Sequence, residues 1–220
     1  MPIADHRVIE PELLDEASEE EARDNLVDLV KLNRYFGGYR ILRRIVSEFV
    51  RPDDCFSMLD IGAASGDMGA YVRSNYPNAT VIALDRKYEH LELAANPKLV
   101  GDAFQLPFAP ATFDFVFSSL FLHHFSNEQV AGLLAKFKTI ARRAVLAIDL
   151  ERGPIAYRFL PATRWLFGWH RLSLHDGPVS VQAAFKKDEL LAVARQAGLD
   201  KARVNRNRPW ARLSLVAPVP

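Results

Sequence analysis

The sequence predicts an α/β fold in which a mostly parallel, doubly wound sheet is sandwiched between two layers of helices. Three observations point to it. Short apolar runs alternate with helical patterns from Phe56 to Ile148. The first of these runs ends in a turn of small residues that opens a helix. At the far end of the chain, two strand-like segments follow one another with no helix between them.

Each element has its own signature. Leu26, Val27, Leu29, Val30 and Leu32 fall among charges and predict an amphipathic helix from about Ser18 to Leu32, broken by Gly37-Gly38. Ile41, Leu42, Ile45, Val46 and Phe49 predict a second helix from Tyr39 to Val50, ended by Pro52. Buried-type runs predict strands at Phe56–Ile61, Thr80–Asp85, Lys98–Val100, Phe113–Phe117 and Ala144–Ile148. Between them fall a helix from Gly66 to about Tyr76 and a short one near Tyr88–Ala95. Another runs from an N-cap at Ser126 to about Ala141. Asp188–Ala197 is helical with Gly198 as its stop. Ala202–Asn205 and Ala211–Ala217 then form an antiparallel pair at the sheet edge, completing seven strands. Residues 1–50 are expected to be an N-terminal helical extension or cap. Residues 51–220 are expected to be the main domain, with a lid insert at about 154–185.

Composition narrows the function classes. The chain has 220 residues, enough for one well-buried domain, and a formal net charge of +1, which gives no electrostatic reason to expect nucleic acid or a membrane surface. The single cysteine, Cys55, excludes an internal disulfide and any multi-cysteine metal site. Met1 to Glu20 is acidic and lacks the blocks of a signal peptide, and no run approaches the roughly 20 apolar residues of a membrane span. A cytoplasmic setting is expected.

Four elements carry the chemistry. Leu59-Asp60-Ile61-Gly62-Ala63-Ala64-Ser65-Gly66-Asp67 is a strand ending in small residues, which let backbone approach a ligand and leave helix N–H groups free. Asp85 ends the next strand, where both tips face one crevice and a carboxylate can take paired ribose hydroxyls. Gly101-Asp102-Ala103 follows the third strand and can read the amino edge of adenine. Thr112 to Phe125 holds the fourth strand and its outflow, ending in Ser118-Ser119 and His123-His124-Phe125.

In this order and spacing the four elements resemble the class I S-adenosylmethionine-dependent methyltransferases, small-molecule branch, similar to the ubiquinone and menaquinone enzymes. The likeness covers about Phe56 to Leu150 and implies a Rossmann-like fold with an antiparallel terminal strand. It implies S-adenosylmethionine as cofactor, S-adenosylhomocysteine as product, and a small, aromatic acceptor. Carried over by position, Asp60, Gly62, Ala63 and Gly66 would hold the amino-acid end. Asp85 and Arg86 would serve the ribose, Asp102 and Ala103 the adenine, and Ser118 the methionine portion. The sequence departs from the family at Ala64, where glycine is usual, and at Ala141-Arg142-Arg143-Ala144, where a Pro-Gly-Gly turn is frequent. Altered loop packing is expected at the first. A dinucleotide enzyme of the same fold class would prefer Gly-x-Gly-x-x-Gly and has no role for the Gly101-Asp102-Ala103 element.

Methyl transfer needs alignment, and for a phenol or acid acceptor a base as well. Three places offer one: His123 and His124 after the fourth strand, His175 in the His175-Asp176-Gly177-Pro178 loop, and Tyr35 beside the paired glycines. Asp149 and Arg152 follow the fifth strand and are further groups that could face the acceptor. No metal is expected, since the histidine pair has no evident third ligand. Tyr157, Phe159, Trp165, Phe167 and Trp169 make the insert aromatic and suit a planar acceptor. The Asn33-to-Gly38 segment and the His175-to-Pro178 segment look like those of bacterial methyltransferases of polyketide-type phenols. O-methylation of a phenolic compound is the expected activity, with C-methylation of a quinol-like ring and a non-catalytic cofactor binder as alternatives. The protein is expected to be a monomer or homodimer without nucleic-acid or membrane partners.

Overall fold

The computed structural model describes residues 3–15 and 17–219; Glu16 and the outermost residues of the two expected units, Met1, Pro2 and Pro220, lie outside the described residues. Seven strands form one sheet: β1 (Phe56–Ile61), β2 (Ala79–Asp85), β3 (Lys98–Val100), β4 (Phe113–Ser119), β5 (Ala141–Leu150), β6 (Arg203–Asn207) and β7 (Arg212–Pro218). Their order across the sheet is β3-β2-β1-β4-β5-β7-β6. Only β7 runs against its neighbours, pairing antiparallel with both β5 and β6. The expected Rossmann-like sandwich with an antiparallel terminal strand is what forms.

The central strands are apolar on both faces because helices cover both. In β1, Met58 joins Ile41, Leu42, Ile45, Phe115 and Phe117 on one side. Leu59 and Ile61 join Val116, Phe137 and Leu213 on the other. Adjacent residues of a strand point to opposite faces, so one continuous run feeds two cores. The first core is closed by α2 (Gly38–Val46) and α3 (Asp67–Asn75). The second is closed by α4 (Asn127–Ile140) and α7 (Lys187–Gln196). Ser126 caps α4 through a reciprocal capping box with Gln129.

Register fixes the functional edge. Ile61 pairs with Leu84 of β2 and with Ser118 of β4, and Asp85 pairs with Val100 of β3. The carboxyl ends of these strands are therefore level, at the point where the strand order reverses on either side of β1.

Three regions differ from the sequence expectation. The stretch near Tyr88–Ala95 contains only a short 3-10 turn, Glu89–Leu91. The fifth strand starts at Ala141, directly after α4, so the missing glycine turn is replaced by an immediate helix-to-strand junction. The insert at 154–185 is a pair of helices, α5 (Pro154–Phe167) and α6 (Arg171–Ala183), and the His175-to-Pro178 segment lies inside α6 instead of in a loop. Packing overrides the turn signal there: a Cβ on Gly177 would sit 2.3 Å from Leu160 Cδ1, so Gly177 is where α5 closes against α6. Helix α1 (Glu19–Tyr35) contacts both α2 and α6. No described helix is long and apolar enough to cross a membrane.

Candidate active site

Residues 5–14 form a strap that crosses α6 and the turn after β4. Arg7 donates from Nε to Ala183 O at 2.6 Å and from Nη2 to His123 O and Phe125 O at 3.0 and 2.9 Å. Its guanidinium lies 3.6 Å from the centre of the Phe185 ring. Buried Arg152 donates to Asp5 O and pairs with Glu189, so it anchors the strap and α7 and does not line the cleft. Farther along, the carboxylate of Asp176 accepts the backbone N–H groups of Leu13 and Leu14 at 2.9 and 3.0 Å. Between these anchors Glu12 turns inward, where the Ser180 hydroxyl donates to it.

Under the strap runs a cleft with two lobes. The first lobe, about 730 Å³, is lined by Asp85, Arg86, His90, Gly101, Asp102, Ala103 and Phe104, among others. The second, about 460 Å³, is lined by Asp60, Ala63, Asp67 and Ser119 at one end and by Tyr35, Phe36, Ile155, Phe159 and Trp210 at the other. Glu12, Leu14, Leu29, Gly62, Ala64, Leu120 and His124 border both, so the lobes communicate.

The turn after β1 forms the floor. Gly62 has φ +67°, and a Cβ there would fall 2.4 Å from Phe121 Cδ2, so both conformation and space demand glycine. Ala64 also takes a left-handed φ, +47°, with its N–H donating to Asp85 Oδ2 at 3.0 Å. The alanine is tolerated, but in a conformation that favours glycine. Asp60 ends almost wholly buried, and its Oδ2 has no hydrogen-bond partner among the described residues. Burial raises its pKa well above the usual carboxylate range, and the nearby charges of Asp67 and Asp85 raise it further. Asp67 is likewise raised by burial, although Asn33 donates to it at 3.1 Å. Asn33 is held in turn by the buried guanidinium of Arg212 at 3.0 Å. Asp85 goes the other way: burial would raise it, but His90 and the N–H groups of Lys87 and Ala64 outweigh burial and lower it.

Where the lobes join, His123 is buried between two carboxylates. Its Nδ1 is 2.6 Å from Asp149 Oδ1, its backbone N–H donates to Asp149 Oδ2 at 3.1 Å, and its Nε2 is 3.7 Å from Glu12 Oε1. Burial alone would lower its pKa, but the charge of Asp149, the hydrogen bond to it and the nearby Glu12 carboxylate raise it to about 10. Glu12 is pulled down to about 2, its burial outweighed by His123 and His124. His123 is thus a cation at neutral pH and a donor, not an acceptor. His124 stacks beside it at 4.3 Å between ring centres, with Nδ1 3.9 Å from the same Glu12 oxygen, and its side chain is 34% exposed toward the cleft.

Of the residues singled out from sequence, Asp60, Gly62, Ala63, Asp85, Arg86, Asp102, Ala103, Tyr35, His123 and His124 all line the cleft. Gly66, Ser118 and His175 do not. Gly66 sets the turn from behind, with a left-handed φ of +69°. Ser118 is buried in the sheet with its hydroxyl unpartnered, and its neighbour Ser119 faces the lobe instead. His175 lies on the outer side of α6, bonded to Asp176 at 2.9 Å and half exposed. Tyr35 sits exposed at the rim. Asp149 does not reach the cleft; it holds His123. Of the insert's aromatics only Phe159 lines the lobe, while Phe167 and Trp169 support it through Phe36. Trp165 is 86% exposed. Glu12, Ser180 and Trp210 were not indicated by sequence, and Asp67 and Asp176 fell within the quoted segments without a role of their own.

Residues 59–148, which run from β1 to β5 and include most of the cleft floor, match the family model described as a methyltransferase domain. The match covers less than half of the chain. The chain is 33% identical over 105 residues to malonyl-acyl-carrier-protein O-methyltransferase of Xylella fastidiosa, covering 44% of this chain and 35% of that protein. It is 36% identical over 87 residues to tRNA (carboxymethyluridine(34)-5-O)-methyltransferase of Schizosaccharomyces pombe, covering 38% and 36%. The matched part is therefore about a third of the length of these relatives. The fold is shared with a SAM-dependent methyltransferase of Aquifex aeolicus, at TM-score 0.58 and 18% identity over 81% of this chain and 89% of that one. The resemblance to the class I methyltransferases is borne out in sequence and in fold.

Proposed function

We propose that this chain transfers a methyl group from S-adenosylmethionine to a small aromatic acceptor, with a phenolic oxygen as the favoured site. The observation that carries this reading is the two-lobed cleft: the acidic first lobe opens at Glu12 and His124 into a lobe walled by Phe36, Ile155, Phe159 and Trp210.

The donor set suits the cofactor. The unpartnered Oδ2 of Asp60 belongs to a carboxyl whose pKa is raised by burial and then by the Asp67 and Asp85 charges, and a ligand cation such as an amino group would stabilise its ionised form. Asp85, ionised and lining the lobe, is suited to ribose hydroxyls. Asp102 presents a carboxylate beside the Ala103 backbone for the adenine edge. When bound, S-adenosylmethionine supplies an electrophilic methyl group at a sulfonium.

The chain's own work is alignment, desolvation and proton handling. The aromatic and aliphatic walls bury a planar acceptor and exclude water. His124, bordering both lobes, takes the acceptor's proton, and Glu12 steadies the resulting charge. His123 keeps its proton and fixes Glu12. Tyr35 and α5–α6 act as the lid over the acceptor.

The test is transfer from isotopically labelled S-adenosylmethionine to a panel of phenols, resorcinols, quinols and carboxylic acids, read by mass spectrometry. A labelled O-methyl product is expected, and His124→Ala should lower its formation with little change in cofactor affinity. A C-methyl product would replace the acceptor assignment. No product despite cofactor binding would overturn the catalytic reading and leave a binder.

A further inference from the structure

Glu12, His123 and His124 meet where the lobes join, and their ligand-type atoms all lie within 4.8 Å of one another. Both imidazole nitrogens face the same oxygen, Glu12 Oε1, at 3.7 and 3.9 Å. A tetrahedral ion with bonds of about 2.0–2.2 Å holds its ligand atoms about 3.4 Å apart, so the two distances to Glu12 need shorten by only about half an ångström and the two imidazole nitrogens must approach by at most about 1.4 Å, within reach of side-chain rotation. We propose that Glu12, His123 and His124 form a site for a divalent ion of the zinc type, with its fourth position open to the cleft.

The surroundings are those of a ligand set. A metal-binding histidine donates its second ring N–H to a carboxylate or carbonyl, which fixes tautomer and orientation. His123 does so to Asp149 at 2.6 Å, and Asp149 is itself fixed by the N–H groups of His123 and Leu150. Glu12 receives the Ser180 hydroxyl. Two imidazoles and one carboxylate select zinc-like ions over magnesium or calcium, which prefer all-oxygen sets. The open position arises because His124 borders both lobes and is partly exposed. The proton on His123 Nε2 leaves to the buffer as the ion enters. With the ion in place His124 is a ligand, and an acceptor hydroxyl coordinated at the open position releases its proton to the buffer instead of to His124. Because Glu12 comes from the strap, the ion would also tie the strap to the turn after β4. Metal binding is measured without acceptor or cofactor, so failure of the site and failure of the methyl-transfer reading are distinguishable.

The experiment is calorimetric titration of the chelator-treated chain with Zn²⁺, with Mg²⁺ as control. One Zn²⁺ per chain and no Mg²⁺ binding are expected, with affinity at least tenfold weaker in Glu12→Gln and in His124→Ala. Absence of saturable Zn²⁺ binding, or binding unchanged in both variants and hence located at Cys55 or at surface histidines, would overturn the proposal. Should either variant lose its circular dichroism signature of folding, the visible spectrum of the unmutated chain with Co²⁺ decides. Intense tetrahedral bands support the site, and weak octahedral bands or none refute it.

Discussion

Replacing Asp176 by alanine should detach the N-terminal strap without unfolding the domain. Asp176 is 5% exposed and accepts two strap amides, Leu13 N–H at 2.9 Å and Leu14 N–H at 3.0 Å. A hydrogen bond to a charged group contributes about 1.5–3 kcal/mol, so the pair would contribute about 3–6 kcal/mol if the amides stayed buried and unpaired. They need not stay so: a released strap hydrates them, and the cost is capped at the free energy of release. About 2–4 kcal/mol is the reasonable span, which is roughly a 30- to 1,000-fold rise in the open population at 1.36 kcal/mol per decade. Native-state hydrogen exchange reads this directly. The Leu13 and Leu14 amides should exchange faster by that factor, while β1, β4 and α4 keep their protection. His175→Ala is the control: it removes a contact to Asp176 Oδ1, which also accepts Leu13 N–H, but leaves both strap amides their acceptors, so only a small change in their exchange is expected. Unchanged exchange at Leu13 and Leu14, or protection lost equally through α6, would show that Asp176 holds the helix and not the strap.

Three other outcomes follow from the same contacts. The raised His123 pKa gives stability that is complete below about 6.5 and lost as pH rises toward about 10, because the folded state keeps a proton the unfolded state has released. Over that window the unfolding free energy should fall by up to about 1.4 kcal/mol per pH unit, and His123→Gln should flatten this limb in denaturant titrations. Ala64→Gly relieves a left-handed alanine, an effect of about 1–2 kcal/mol partly offset by the entropy glycine adds to the unfolded chain. A gain of about 0.5–1 kcal/mol, a melting point higher by about 1–4 °C, is expected, and a lower one would contradict the loop geometry. Gly62→Ala adds both a strained φ and a Cβ against Phe121, so it should destabilise by at least about 1–2 kcal/mol in thermal melts, with Phe121→Ala recovering only the steric part.

The sheet and the lining of the lobe at Asp85 and Asp102 were legible because their signals are local. An apolar run ending in Asp60-Ile61-Gly62 and another ending in Asp85 each carry strand, turn and ligand position within a few residues. The antiparallel finish was legible because no helix fits between β6 and β7. The second lobe was not, because its decisive contacts span the chain: Glu12 reaches His123, and Asp176 reaches Leu13, across more than a hundred residues with no periodic trace. The Asp176-Gly177-Pro178 turn signal was overridden by the close contact of α5 and α6 at Gly177. At the end of β4 the family position selects Ser118, but strand alternation turns Ser118 into the sheet and Ser119 toward the lobe, a one-residue parity that motif spacing does not resolve. Asp149, at a strand end, reads from sequence as a group that could face the acceptor, whereas it holds His123 instead. Its role as the partner of His123 depends on β4 and β5 lying side by side.

The measurement that bears most directly on the proposed role of the cleft is calorimetric titration of the chain with S-adenosylhomocysteine, alongside Asp85→Ala. The two-lobed cleft predicts one saturable site, weakened at least tenfold, about 1.4 kcal/mol, when the Asp85 carboxylate is removed. No binding to the unmutated chain, or identical affinity in the variant, would contradict it.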